Sequence, residues 1–207
     1  KEFPWLSYRD IEIGMCPVRA LRVAYTGELG WELHHPIEMQ NYLLDILLSS
    51  GKEFNLKLVG ARAQNWLRQE KSYKAFGSDL GRDAGPFESN LSRFVDINKN
   101  FLGKDALLKR KTDVSCVTLL IDGPKDIDPW GREALYNETE EVMLGRLTSA
   151  GYSVHFKRSI GIGYVKSSFS EVGTKLRIKI DDAFWNAEIV RDSPYDPQNE
   201  RIIDRAQ

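Results

Sequence analysis

The chain has 207 residues, 42% of them hydrophobic, and a formal net charge of −1. A chain of this length buries one sizeable core or two small ones. The near balance of charge excludes a general nucleic-acid-binding surface, which needs a basic excess. No apolar run is long enough to cross a bilayer, so we expect neither nucleic acid nor a membrane among the partners.

Cysteine usage bears on the redox compartment of the protein, and the start of the chain bears on whether it is a fragment. Cys16 and Cys116 stand far apart and form no CxxC pattern. Neither a disulfide framework nor a zinc site is therefore expected, and the default compartment is a reducing one: the cytoplasm or, in a eukaryote, the mitochondrial matrix. The chain opens on KEFPW without an initiator methionine, and we expect it to be a fragment or processed piece of a longer protein.

Strand and helix patterns interleave through residue 111. Residues 18–25 and 31–34 read as strands around a glycine-containing turn, which predicts a β-hairpin. Apolar residues at helical spacing predict one helix after Pro36, ending near Gly51, and a second over residues 59–71. A strand over 94–97 and a short helix over 104–111 complete the pattern, which favours an α+β unit.

After residue 111 the pattern changes to short β-rich runs separated by Gly, Asp and Pro turns. The runs cover residues 117–121, 141–144, 159–165, 176–180 and 184–190. Strands at this spacing predict a small antiparallel barrel or sandwich.

The hairpin sequence YTGELGWEL, residues 25–33, is the most informative segment. Tyr25 and Glu32 stand on opposite arms near the turn and face the same side in one of the possible registers. A phenol and a carboxylate together could recognise a nitrogen-rich heterocycle, because a carboxylate accepts two hydrogen bonds from an amino-pyrimidinone edge. Spacing alone favours the simpler interpretation, an exposed charged hairpin.

Other candidate motifs are better explained structurally. His34 and His35 are adjacent on a predicted strand and so face opposite ways, which does not suit a shared metal. His155 is isolated and is more typical of a surface residue than of a catalytic base. The run Gly161-Ile162-Gly163 lacks the third glycine of a dinucleotide fingerprint and lies in a strand pattern.

Several strings, taken in order, resemble the superfamily of the glycine-cleavage T-protein, an aminomethyltransferase. They are YTGELGWEL (25–33), GARAQNWLRQEK (60–71), AFGSDL (75–80), FVD (94–96), FLGKDAL (101–107), LTSAGYS (147–153) and IGIGYV (160–165). The matches cover nearly the whole chain. The form LGWEL, Glu70-Lys71 and the AFGSD run are closest to the C-terminal folate-binding region of dimethylglycine and sarcosine dehydrogenases.

The resemblance implies roles for three residues. Glu32 matches the family glutamate that anchors the pyrimidine edge of the folate pterin, and Tyr25 would line the same pocket. Arg62 matches the arginine of the GAR motif and would bind a polar or anionic part of folate; without the resemblance it reads as a solvated surface residue. The essential aspartate of T-proteins belongs to the N-terminal half of the folate domain, which this chain lacks, so no catalytic residue is assigned.

The resemblance also implies an activity. We expect tetrahydrofolate-dependent one-carbon transfer from a small methylated amine, with this chain as part of an aminomethyltransferase or a demethylating dehydrogenase. An FAD domain, if present, would lie upstream and is not expected in this chain. The alternative is a non-catalytic regulatory or partner-binding subunit that retains the fold.

The predicted fold is α+β: a ferredoxin-like folate-binding subdomain over residues 1–111, the C-terminal part of the family's folate domain, followed by a small antiparallel β-barrel over 112–207. Residues 193–197, SPYDP, resemble a family C-terminal motif and are expected to help close the barrel. One departure from the family bears on the backbone: Asn90 stands where PLEAGL has its glycine, and asparagine tolerates left-handed geometry less well than glycine.

Overall fold

The computed structural model describes residues 3–123 and 127–203. The chain divides into two compact units, one formed by residues 1–67 with 196–207, the other by residues 68–195. Within the described residues, no helix is long and apolar enough to cross a membrane.

The first unit is built on a three-stranded antiparallel sheet in the order β1-β2-β3. Its strands are β1 (Tyr8–Ile13), β2 (Cys16–Leu21) and β3 (Glu32–His34). A 3₁₀ turn over Ile37–Met39 leads into helix α1 (Gln40–Ser50), and helix α2 (Ala61–Glu70) follows. Residues 61–67 of α2 belong to this unit, and its last three residues belong to the second. On β2, buried and exposed residues alternate as the strand period of two requires, and Val18 packs with Leu43 of α1 in a small apolar core.

The second unit is a closed antiparallel barrel in the order β4-β7-β6-β5-β8-β9. Its strands are β4 (Val114–Ile121), β5 (Ala134–Tyr136), β6 (Met143–Ser153), β7 (Arg158–Lys166), β8 (Lys175–Ile180) and β9 (Ala183–Val190). Before β4 lie a 3₁₀ turn over Ser92–Phe94 and helix α3 (Lys104–Lys109); helix α4 (Glu200–Ile203) belongs to the first unit. The barrel interior is aliphatic, with Leu119, Leu135, Ile178 and Ile189 almost inaccessible to solvent.

These elements confirm the predicted α+β class and the antiparallel barrel. Helix α2 lies within the predicted 59–71, and α3 within 104–111. The strand predicted over 94–97 is wrong: residues 92–94 form a 3₁₀ turn, in which the Val95 amide donates to the Ser92 carbonyl at 3.0 Å. The domain division at residue 111 stays a prediction.

Barrel closure comes from the pairing of β4 with β9, which sets Thr118 opposite Val190. The C-terminal motif, expected to help close the barrel, makes other contacts. The Ser193 amide donates to Ser72 Oγ at 2.9 Å, and the Tyr195 amide donates to the Glu70 carbonyl at 3.1 Å. This segment therefore binds the residues at the C-terminal end of α2.

Candidate functional site

Glu32 is the first residue of β3 and lies on a solvent-exposed part of the sheet. Its register partner on β2 is Leu21, and 54% of its side-chain surface is accessible. His34, two residues on and therefore on the same side of the strand, places Nε2 at 3.4 Å from Glu32 Oε2. The Glu32 carboxylate is accessible to a ligand.

Glu28, the other glutamate of the hairpin motif, is engaged within the unit. Arg201 of α4 donates from Nε to Glu28 Oε2 at 2.7 Å. The side chain of Asp196 accepts the amides of Glu200 and Arg201 and so anchors the start of α4. The two glutamates therefore differ in role: one ties its loop to α4, and Glu32 presents its carboxylate to solvent.

Tyr25 lies in the connection between β2 and β3, and the predicted strand 18–25 is too long. Strand β2 ends at Leu21 because the Val23 amide turns back to the Leu21 carbonyl at 2.9 Å and the Arg22 amide donates to the Ser7 carbonyl. The hairpin is therefore closed by a ten-residue loop, 22–31, and Tyr25 is a half-buried loop residue. It does not face Glu32 across paired strands.

Arg62 stands in the first turn of α2 and is exposed. Its guanidinium carbon lies 5.3 Å from the centre of the Trp66 ring, one helical turn further on. Such stacking orients the planar guanidinium. The three predicted folate residues thus belong to three elements of the first unit: β3, the 22–31 loop and α2.

A concave surface of about 930 Å³ also lies on the exposed side of this sheet. Asp10, Arg19 and His34 are among its lining residues, and none of the three predicted folate residues lines it. Asp10 accepts two hydrogen bonds from Arg19, at 2.8 and 3.0 Å, and the Arg19 hydrogen bond lowers the pKa of Asp10. The groove wall is therefore charged and internally paired.

The second unit contains a buried polar cluster that sequence reasoning missed. Asp79 Oδ2 accepts Arg68 Nη1 at 2.7 Å and the Ala75 amide at 2.9 Å. Its Oδ1 accepts the hydroxyls of Thr148 and Ser149, both at 2.6 Å. The side chains of Arg68 and Asp79 are 3% and 0% exposed, so this ion pair is shielded from water and fully hydrogen-bonded.

The cluster joins three of the family-like strings, GARAQNWLRQEK with Arg68, AFGSDL with Asp79, and LTSAGYS with Thr148 and Ser149. The pairing of β6 with β7 shifts register between Leu147 and Ser149, which makes Thr148 the extra residue of a β-bulge. A bulge re-aims its side chains, and here two hydroxyls reach the Asp79 carboxylate. A sequence signal existed, because residues 68–72 are five consecutive polar residues, and all are buried. Several of their partners lie 46 to 124 residues away in the sequence and could not be inferred from local spacing.

Two titratable groups beside this cluster are held neutral. Burial raises the pKa of the Cys116 thiol to about 12, and burial likewise raises the pKa of Tyr164 to about 12. The Tyr164 hydroxyl donates to the Asp79 carbonyl at 2.8 Å and is 2.8 Å from Ser89 Oγ. Neither group is suited to act as a nucleophile or base near neutral pH.

Glu88 is a buried carboxylate whose pKa is shifted by its contacts. Burial by itself would raise the pKa of Glu88, but hydrogen bonds from Thr112, at 2.7 Å, and Arg110, at 3.0 Å, outweigh it. The pKa of this carboxyl therefore lies below its ordinary value of 4.5. The contacts fasten the loop that precedes the 3₁₀ turn at Ser92–Phe94 to the segment between α3 and β4.

Comparison with known proteins finds the glycine cleavage T-protein family along most of the chain, as the resembling strings predicted. The family model described as GCVT N-terminal domain matches residues 1–99, and the model described as glycine cleavage T-protein C-terminal barrel domain matches residues 115–196. A crystal structure of glycine cleavage system aminomethyltransferase T from Bartonella henselae superposes with a TM-score of 0.81 at 22% identity, covering 95% of this chain and 54% of that one. That likeness establishes the fold.

Curated relatives include dimethylglycine dehydrogenases and aminomethyltransferases. Mitochondrial dimethylglycine dehydrogenase of Mus musculus is 36% identical over 197 residues, which cover 92% of this chain and 22% of that protein. Aminomethyltransferase of Thermoanaerobacter pseudethanolicus is 31% identical over 197 residues, covering 94% of this chain and 53% of that protein. The chain therefore spans between about a fifth and a half of the length of these relatives. It belongs to the glycine cleavage T-protein superfamily, which includes aminomethyltransferases and dimethylglycine dehydrogenases.

Proposed function

We propose that this chain is part of an enzyme that transfers a one-carbon group to tetrahydrofolate, and that its first unit contributes one wall of the folate site. The observation that carries the proposal is the accessible Glu32 carboxylate, at the position where the family's folate-anchoring glutamate falls. Its neighbour in the motif, Glu28, is engaged by Arg201, so the two carboxylates are not interchangeable.

The chemistry of Glu32 fits the pyrimidine edge of a reduced pterin. That edge offers an amino group and a ring N–H as adjacent donors, and an ionised carboxylate accepts both through its two oxygens. His34 Nε2, at 3.4 Å, is too distant to satisfy the carboxylate strongly. A ligand that replaces water at the Glu32 carboxylate therefore does not have to break a strong intramolecular hydrogen bond.

Arg62 and Tyr25 supply complementary chemistry. The Arg62 guanidinium, stacked on Trp66, provides donors for a carbonyl or carboxylate of folate. Tyr25 offers an aromatic ring for contact with a planar heterocycle and a hydroxyl for hydrogen bonding. In this scheme the three residues bind and orient, and acceleration comes from placing a folate nitrogen next to an electrophilic one-carbon unit.

The remaining parts of such an enzyme lie outside this sequence. The one-carbon unit comes from a small methylated amine, and any flavin that oxidises the amine belongs to an upstream domain. The N-terminal half of the folate domain completes the pocket. The dehydrogenase relatives are named as mitochondrial, and we place this protein in the mitochondrial matrix or in the cytoplasm.

The test is a calorimetric titration of the intact protein with tetrahydrofolate, comparing the native sequence with Glu32→Gln. Loss of one partner of a charge-assisted hydrogen-bonded pair costs about 1.5–3 kcal/mol, so Kd should rise roughly 10- to 150-fold. Glu38→Gln is the matched control, because Glu38 is an exposed glutamate of the same unit and should leave Kd unchanged.

Arg62→Lys provides a second readout. It keeps the charge but loses the planar donors and the stack on Trp66, so a direct role predicts weaker folate binding with unchanged folding. Unaltered Kd in both Glu32→Gln and Arg62→Lys would overturn the proposed site. Absence of tetrahydrofolate binding by the intact native protein would favour a regulatory or partner-binding subunit that retains the fold.

A further inference from the structure

Helix α4 is only one turn long, yet it is firmly held within the first unit. Its apolar side chain Ile202 is 2% exposed. The Asp196 carboxylate accepts the amides of Glu200 and Arg201 at 2.9 and 3.1 Å, so the amides at the start of the helix, which have no partner within it, are bonded. The helix is therefore a fixed base for the side chains that it carries.

Two hydrogen bonds from guanidinium groups join α4 to the 22–31 loop, which connects β2 to β3. At the first residue of the loop, Arg22 Nη2 donates to the Ile203 carbonyl at 3.2 Å. In the second half of the loop, Glu28 Oε2 accepts a hydrogen bond from Arg201 Nε at 2.7 Å. The helix therefore binds the loop at two separate points, one on each side of Tyr25 in the sequence.

The part of the loop that carries Tyr25 is folded against itself. A Cβ placed at Gly30 would lie 3.3 Å from the Cβ of Ala24, so the two arms of the loop are close together. Gly27, between them, adopts a φ of 81°, a conformation that suits glycine. Because the arms pack on each other, a displacement of Glu28 also displaces the backbone of Tyr25.

The ion pair between Arg201 and Glu28 is exposed, with 60% and 40% of the two side chains accessible to solvent. Exposed ion pairs contribute little to the free energy of unfolding, because water and salt screen the charges. A pair of this kind can still select one conformation of a loop, since the alternatives that it competes with differ by similarly small energies. We therefore expect its effect on the 22–31 loop and not on unfolding of the unit.

We propose that Arg201 is a positioning residue of the folate site. Through Glu28 it holds the 22–31 loop in the conformation in which Tyr25 and Glu32 bind the ligand together. Arg201 itself contacts no ligand in this scheme. The inference rests on the proposed function, because the position of the loop matters for folate only if the first unit binds it. Arg201 and Glu28 are 173 positions apart in the sequence, so no local motif joins them.

Calorimetric titration of the intact protein with tetrahydrofolate tests the proposal in the variant Arg201→Gln. Its Kd should rise about 2- to 5-fold, the effect of losing an exposed ion pair, while its thermal transition stays that of the native protein. Arg201→Lys keeps the charge and should recover most of the affinity. The matched control is Arg158→Gln, which breaks the exposed pair with Asp122 in the barrel unit and should leave Kd unchanged.

Two further measurements separate positioning by charge from a loss of packing. The first repeats the titrations in about 1 M salt, where the Debye length is about 3 Å; the ratio of the Arg201→Gln Kd to the native Kd should fall towards one. The second adds Glu28→Gln to Arg201→Gln. Because the two residues act through one contact, the double variant should bind tetrahydrofolate no more weakly than either single variant.

The outcomes distinguish this inference from the proposed function. An unchanged Kd in Arg201→Gln, together with weakened binding in Glu32→Gln, would overturn the positioning role and leave the folate site in place. An unchanged Kd in both variants would overturn the site and the positioning role together. Additive losses in the double variant, or a Kd ratio that persists in high salt, would show that Arg201 does not act through Glu28 and would likewise overturn the inference.

Discussion

The Arg68–Asp79 pair allows a stability prediction worked from its contacts. Replacing Asp79 with asparagine keeps the shape of the side chain but removes the negative charge that pairs with the Arg68 guanidinium, which is 3% exposed. Breaking a buried pair from one side costs about 3–5 kcal/mol, because the remaining charge stays desolvated. The four hydrogen bonds that Asp79 accepts place this site at the upper part of that range.

Thermal and urea unfolding followed by circular dichroism measure the effect. For a chain of this size, 3–5 kcal/mol corresponds to a fall in Tm of about 6–20 °C. The control is Asp122→Asn, which breaks the exposed pair of Asp122 with Arg158, whose side chains are 62% and 42% accessible. Exposed pairs contribute about 0–1 kcal/mol, so this variant should unfold almost as the native protein does.

A double-substitution cycle separates charge burial from simple loss of packing. Arg68→Met alone leaves the Asp79 carboxylate unpaired, whereas Arg68→Met with Asp79→Asn removes both charges. The double variant should therefore lose less stability than the sum of the two single variants, by more than about 1 kcal/mol. Additive losses, or an Asp79→Asn effect no larger than that of Asp122→Asn, would refute the reasoning.

Three further predictions follow from burial and close packing. The pKa of Glu88 lies below its ordinary 4.5, so its charged form stabilises the fold above about pH 4.5. This contribution disappears as the pH falls through the lower folded-state pKa. Glu88→Gln should therefore flatten the acid limb of a plot of the free energy of unfolding against pH. Cys16 and Cys116 are 0% and 1% exposed, so a thiol reagent at pH 8 should label neither in the native protein and both after denaturation; labelling of the native state would contradict their burial. Gly145→Ala would place a Cβ 1.9 Å from a backbone carbonyl oxygen and should destabilise by at least about 1–3 kcal/mol, whereas Gly60→Ala meets nothing within 4 Å and should be close to neutral in the same denaturation assay.

The sequence pattern placed several helices and strands close to their observed positions. Strands β8 and β9 lie close to the predicted 176–180 and 184–190, and their buried residues recur at strand spacing. Helix α2 and strand β7 also lie close to their predicted positions, although their buried residues are consecutive and follow no period. Strand β1 gave no such signal: five of its six residues are exposed, so apolar and polar positions do not alternate. Strand β5 is only three residues long, too short for any period to appear.

The strand predicted over 94–97 shows a different limit. Phe94, Val95 and Ile97 favour extended structure as residue types, but a strand is stabilised by its pairing partner. Here the backbone closes a local 3₁₀ turn, with the Phe94 amide bonding the Leu91 carbonyl at 3.0 Å. Propensity in so short a run could not decide between the two conformations.

The residues of the candidate site also differ in whether the sequence could reveal them. Glu32, Tyr25 and Arg62 came from the resemblance of short strings to a family, and their roles remain proposals. The Arg68–Asp79 cluster depends on contacts between segments about seventy residues apart and on a β-bulge, neither of which spacing reveals. Long-range polar satisfaction is a property of the folded chain, since a buried charge is tolerated only where the fold brings it enough partners.

Asn90 illustrates how a departure from a family string can preserve the local backbone. Glycine in the resembling sequences suits a left-handed residue, and Asn90 adopts that conformation with a φ of 57°. The strain that a side chain incurs there is about 1–2 kcal/mol for most residues, and asparagine is among the few that visit the region. Its Nδ2 donates to the Cys116 carbonyl on β4 at 2.8 Å, a bond that contributes about 1 kcal/mol and that glycine could not make. The substitution thus exchanges the conformational freedom of glycine for a side-chain bond to the barrel, and the turn before residue 91 is kept.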